Sequence, residues 1–189
     1  EVRDEGKRRL VTELTEAANQ ASISDVLLWD HCLYELEYYP ERFRTGPDGT
    51  IDLDNPAFWE WVKEDYRELL GLVPSIQGLL LTFIETGARV EIQHSRELPT
   101  KQEKLAAAVN AVADVVVEEQ GLQLFVRTFS YNRAEYETVM ATIDLFKNDK
   151  IGLMMKETPH DFFLTHPVNP LPGRIPRSDR TRGRPTQVI

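Results

Sequence analysis

Residues 1–20 carry Leu10, Val11, Leu14 and Ala17–Ala18 at helical spacing on a charged background, which predicts an amphipathic helix. At Asp25–His31 (DVLLWDH) the period gives way to a short apolar run of strand length. Residues 35–55 read as a long connection, with turn chemistry in Gly46-Pro47-Asp48-Gly49. Asn55-Pro56 then supplies an N-cap and a proline at the first helical position. The helix behind it aligns Phe58, Trp61, Val62, Tyr66, Leu69 and Leu70, and Pro74 marks its end. Gly78–Ile84 is a second apolar run. Thr100-x-x-Glu103 forms a capping box for a helix reaching Gln120, which Gly121 stops. Leu122–Phe129 is the third run, Asn132 with Glu135 opens a helix to about Lys147, and Lys150–Lys156 is the fourth run.

The alternation predicts an α/β protein. Its four strands are too apolar to face water on either side, so they should form a parallel sheet covered by helices, adjacent in chain order. Residues 1–173 read as one domain of this kind, and four clear strands fall short of a closed TIM-type barrel. Residues 174–189 hold five arginines and one aspartate. They read as a basic tail leading into a further strand that Gln187-Val188-Ile189 would begin, rather than as a nucleic-acid patch. Two open sheet edges predict association with a second copy or with further barrel sequence.

Composition narrows the function. The 189 residues are 41% hydrophobic and 28% charged, with a net charge of −9, which argues against general binding to nucleic acid or membrane surfaces. The single Cys32 excludes an internal disulfide and a cysteine-built zinc site, and its apolar surroundings make it a core residue. No run is long enough to span a membrane, and residues 1–20 lack a signal-peptide apolar core, so the expectation is cytoplasmic. The four histidines show no HExxH spacing, and no P-loop, G-x-G-x-x-G or G-x-S-x-G is present. Neither metal nor cofactor is therefore expected.

Sites in such folds lie at the carboxyl ends of the strands. Those ends carry Asp30 and His31, then Glu85, then Arg127 and Tyr131, then Lys156 and Asp161. Pro159, Pro167, Pro170 and Pro172 stiffen the loop that holds Lys156 and Asp161. Two carboxylates with two cations suit an anionic sugar, the cations holding the anion and the carboxyls serving as general acid and base. Each residue also has a plainer reading. Glu85 can be an ordinary loop charge, Arg127 can pair with an acidic neighbour, and Lys156 can bridge Asp161. Trp29, Trp59, Trp61, Tyr34, Tyr38 and Tyr39 read mostly as core or helix-face residues, although Trp29, at a strand end, could also stack on a sugar ring.

Lys156-x-x-Pro159-x-Asp161-Phe162, continued by Pro167-x-x-Pro170-Leu171-x-Gly173, resembles the α-glucuronidases of glycoside hydrolase family 67, with the family's spacing throughout. Arg127-x-Phe129-x-Tyr131 is similar to the family's preceding strand end. Asn55-Pro56, Trp61, Ile76-Gln77-Gly78 and Glu85-Thr86-Gly87 resemble the unit that carries its catalytic acid, with a one-residue slip against the family's Ser-Glu-Gly. The resemblance covers about Asp25 to Ile189 and implies the second half of a (β/α)8 barrel. It implies Glu85 as general acid, Asp161 as one of two carboxylates that activate water, and Arg127 and Lys156 as holders of the uronate carboxylate, in an inverting, metal-free hydrolase. A family lysine four residues before the acid has no counterpart here, and the family's second base follows the strand begun by Gln187-Val188-Ile189. The rival expectation is a non-catalytic carbohydrate-binding or remnant barrel fragment.

Overall fold

A computed structural model describes residues 2–84, 86–130, 132–156 and 186–188. Helix α1 spans Glu5–Gln20, and β1 spans Leu27–His31. Helix α2 covers Pro56–Leu72 and leads to β2, Gly78–Thr82. Helix α3, Lys101–Ala113, precedes β3, Gln123–Thr128. Helix α4, Arg133–Ile143, precedes β4, Gly152–Met155, and β5 is Thr186–Val188. The strands lie in the order β1-β2-β3-β4-β5 and every neighbouring pair is parallel. The four expected strands are thus present, adjacent and parallel in chain order, and β5 adds a fifth.

Side-chain parity divides the sheet. Leu79, Leu81 and Phe83, then Leu124 and Val126, then Leu153 and Met155 face one way and are buried with Phe58, Val62 and Leu70 of α2 and with Leu105, Val109 and Val112 of α3. Helices α2, α3 and α4 pack side by side. Sequential strand order with right-handed crossovers places all of them on that one face, the arrangement of a barrel wall rather than of a doubly wound sheet. The opposite face carries Trp29, His31, Leu80, Thr82, Phe125, Arg127 and Met154. Its middle is closed, with Phe125 and Met154 buried, and it opens toward β1. The expectation of strands buried on both faces therefore fails at β1. That strand ends the sheet, and Trp29 is 59% exposed.

Local chemistry explains the element boundaries. Asn55 accepts from the Ala57 amide at the start of α2. At α3 the Thr100 hydroxyl accepts from the Glu103 amide while the Glu103 carboxylate accepts from the Thr100 amide. Gly78 starts β2 because a Cβ there would run into the Gln123 carbonyl. Helix α3 continues beyond Ala113, but as a π-helical segment over Asp114–Glu119. Val115, Val116 and Val117 are all buried, as Ala108 to Ala113 are in the regular helix before them. Helix α4 ends at Ile143, four residues before the boundary expected from sequence.

Helix α1 docks differently from its apolar pattern. Thr15 is buried with its hydroxyl 2.6 Å from that of Ser75, and Arg3 reaches Asp65 and Glu68 of α2. Leu10 and Leu14 point outward. No helix among the described residues is long and apolar enough to cross a membrane.

Candidate functional site

At the carboxyl end of the sheet the inward-facing residues stand in register. His31 is opposite Thr82, Thr82 opposite Arg127, and Arg127 opposite Met154. The Arg127 guanidinium lies 5.3 Å from the Trp29 ring centre and 5.2 Å from that of Phe129. The Lys156 ammonium sits 4.3 Å from the same Phe129 ring. Trp29 is oriented by its indole Nε1, which donates to the Thr82 hydroxyl at 2.8 Å. Two of the residues expected at the site, Arg127 and Lys156, thus meet at the Phe129 ring, and a third, Trp29, meets Arg127. Cation–π contacts of this kind contribute about 0.5–1 kcal/mol each at exposed positions and set the direction in which the cations point.

An aromatic row extends from this cluster along the β1 edge. The Trp29 and His31 rings are near parallel with centres 5.8 Å apart, His31 meets Tyr34 at 5.2 Å, and Tyr34 meets Tyr38 at 6.4 Å. Tyr34 and Tyr38 are 48% and 65% exposed, which corrects their reading as core or helix-face residues. The cause is local: Leu33 adopts a left-handed φ of 58° and takes the core position, so the chain turns Tyr34 outward. The turn Leu36–Tyr38 then brings Tyr38 alongside it. Tyr39, Trp59 and Trp61 do pack against the core, as expected.

Asp30 is at a strand end but on the helix side of the sheet. Its carboxylate accepts a 2.6 Å hydrogen bond from the Tyr66 hydroxyl, so it serves the α2 interface rather than the cleft. Burial, and then the Asp30 charge, push the Tyr66 phenol well above its ordinary value. Cys32 is a buried core residue, as expected, its thiol raised to about 12 by the same two causes in the same order.

Beyond Phe129 lies a cavity of about 640 Å³ lined by Ile84, Leu105, Phe129, Arg89, Glu91 and Lys101, with Ala134, Glu135 and Thr138 of α4 at its rim. Glu91 accepts from Arg89 Nε at 2.9 Å through Oε1, while its Oε2 is buried with no hydrogen-bond partner. Glu91 was not singled out from the sequence, and Phe129 was named only as the middle of Arg127-x-Phe129-x-Tyr131. The Phe129 signal was present in its place between Arg127 and Tyr131, but nothing local distinguishes Glu91 from an ordinary loop carboxylate.

Among the described residues, one group could hold a metal ion: Asp52, Asp54 and His94, whose candidate ligand atoms lie within 4.8 Å of one another. The Asp54 carboxylate already accepts from the Ser95 hydroxyl, the Arg96 amide at 2.7 Å and the Glu97 amide at 3.2 Å. Those bonds, Ser95 first, hold it below the ordinary carboxylate range. They make the group a loop clasp on the sheet's flank.

Glu85, Tyr131 and Asp161 lie outside the described residues. Thr86, next to Glu85, is buried, its hydroxyl without a partner. The adjoining loops are locked together: the Ala88 amide donates to the Tyr34 carbonyl at 2.9 Å, and a Cβ on Gly87 would meet the Glu35 carboxylate. No family model and no curated protein matches the chain.

Proposed function

We propose that this barrel wall belongs to a glycoside hydrolase that removes a uronic acid or related sugar from plant-polysaccharide oligosaccharides. The observation that carries the proposal is the run of contacts from Trp29 to Arg127, and from Arg127 and Lys156 to the shared Phe129 ring, at the carboxyl end of the sheet. A guanidinium offers a carboxylate two parallel donors, and an ammonium adds a compact charge beside it. The exposed indole supplies an apolar face for the C–H side of a pyranose ring. A neutral sugar's hydroxyls can accept from the same donors but bring no charge to pair with them, so the two cations favour a uronate.

The chemistry is assigned through the family resemblance. Glu85 protonates the leaving oxygen, and Asp161 takes a proton from the attacking water on the opposite face of the sugar. Inversion requires their carboxyls to stand about 6.5–9.5 Å apart, leaving room for that water. Positive charge around Phe129 fixes the uronate, so the scissile bond is presented to the acid in one orientation.

A non-catalytic carbohydrate-binding role is the second reading, favoured by the exposed row Trp29–His31–Tyr34–Tyr38, which can hold sugar rings without either carboxyl. Titration with methyl α-glucuronide and methyl α-glucoside, beside turnover on a glucuronate-bearing oligosaccharide, tests both. Arg127→Ala should weaken the glucuronide by roughly tenfold or more, the scale of a hydrogen bond to a charged group, and spare the glucoside. Equal loss for both sugars would refute uronate recognition. Asp161→Ala should abolish turnover and leave binding in place; sugar binding with no turnover in the unaltered protein would establish the second reading.

A further inference from the structure

The aromatic row along β1 contains one side chain of a type that changes charge near neutral pH, His31. Its ring lies near parallel to that of Trp29 with centres 5.8 Å apart, and 5.2 Å from that of Tyr34. The residue is half-buried, and among the described residues its ring nitrogens make no hydrogen bond. Stacking asks for no nitrogen, and a phenylalanine would serve it as well. The nitrogens are therefore left to answer to a ligand.

Register sets the relation of His31 to the cations. His31 on β1, Thr82 on β2 and Arg127 on β3 face the same way in adjacent positions. Neighbouring strands lie about 4.8 Å apart, which puts the His31 and Arg127 backbones roughly 10 Å from one another. Thr82, between them, is buried, its hydroxyl accepting from the Trp29 indole. A carboxylate held by the Arg127 guanidinium would stand within that span of His31, where its charge is still felt.

The surroundings fix the sign of the effect. Of the chain neighbours, Asp30 points to the helix side and accepts from the Tyr66 hydroxyl, and Cys32 is buried in the core. Thr82 is neutral, Arg127 is cationic, and Tyr34 and Tyr38 bring phenols from the following loop. The Glu35 carboxylate lies against Gly87 of the adjoining loop. Arg127, and beyond it Lys156, oppose a positive charge on His31. A bound carboxylate pairs with those cations and removes the opposition, so binding favours the charged imidazole.

We infer that His31 is a specificity-determining residue that couples recognition of a uronate to uptake of a proton. The inference rests on the uronate reading of Arg127 and Lys156 and adds a condition to it. Because the complex holds more protons than the free protein, affinity for a charged sugar rises as pH falls through the range in which an imidazole titrates. A neutral sugar leaves the opposing charges as they were and shows no such gain.

Calorimetric titration of the whole chain with methyl α-glucuronide and methyl α-glucoside, at about pH 5.5 and about pH 8, reads the coupling. Glucuronide affinity should be severalfold higher at the lower pH. Its apparent enthalpy should change with the ionisation enthalpy of the buffer, since the proton comes from there. The glucoside should show neither effect. His31→Phe keeps a ring for Trp29 and Tyr34 to pack on, and His31→Asn keeps a smaller polar side chain. Both variants should bind the glucuronide with the weaker affinity at either pH. Glucuronide affinity that does not change with pH in the unaltered protein, or a dependence that survives in both variants, overturns the coupling and leaves the uronate reading standing. An equal dependence for the glucoside also overturns it, since the proton would then not follow charge. No glucuronide binding at either pH refutes the uronate reading itself, and the coupling with it.

Discussion

Cys32 shows how a single side chain couples the site's foundation to pH. It lies one residue past the end of β1, packed among the core beneath the aromatic row, and its native thiol holds its proton up to about 12. In an unfolded chain a cysteine releases that proton near about 8.5. Between those values unfolding liberates a proton, so stability falls as pH rises. Native protein should accordingly resist a thiol reagent at pH 8 and react only after denaturant is added. Cys32→Ala should flatten the alkaline decline in melting temperature; rapid labelling of the native chain would show that the residue is reachable. Tyr66 contributes in the same direction at higher pH, since burial raises its phenol as well. At this scale the sequence was informative where chemistry is local. Cys32 could be assigned to the core from its neighbours, whereas Trp29 read first as core, and only its strand-end position pointed to the exposure that the structure shows. Asp30 could not be assigned, because one position in a strand decides between cleft and helix layer, and Tyr66 is 36 residues away. Tyr34 and Tyr38 were equally hidden, since their exposure depends on the left-handed φ of Leu33.

Elements were legible wherever a cap or a breaker stood beside a period. Thr100 and Glu103 declare the start of α3, and the structure forms both halves of that box. Gly121 declares its end, with a φ of 66° and open space where a Cβ would stand. Gly121→Ala should therefore destabilise by about 1–2 kcal/mol through backbone strain alone, with no loss of packing. Thr100→Ala should destabilise by about 1 kcal/mol. Denaturant titration of the two variants should give those losses with unchanged m-values; a near-neutral Gly121→Ala would mean that the turn relaxes to another conformation. The π segment at Asp114–Glu119 was not legible. The helix was expected to run regularly to Gln120, and nothing in Val115-Val116-Val117 marks the change to the wider turn that packs against α2 and β3.

For the whole molecule, strand order follows from right-handed crossovers and short connections, and these were enough to expect adjacent parallel strands. The inner face was harder to foresee, because each strand taken singly reads as apolar throughout. Exposed Trp29 on β1, the end strand among the described residues, is a surface that favours further pairing. Light scattering should show association of the isolated chain that grows with concentration. A monodisperse monomer with one cooperative melt would mean that the inner face is closed without a partner.

The sequential strand order also bears on synthesis. In a sheet whose later strands insert between or outside earlier ones, a nascent chain must hold places open. Here each strand pairs with the one made before it, so β2 can add to β1 once α2 has left the ribosome, and β3 to β2 after α3. Every completed βα unit leaves one unpaired edge for the next to use and adds one more strand end to the cleft. The residues of the candidate site are thereby assembled in the order in which they are translated: Trp29, then Thr82, then Arg127, then Lys156.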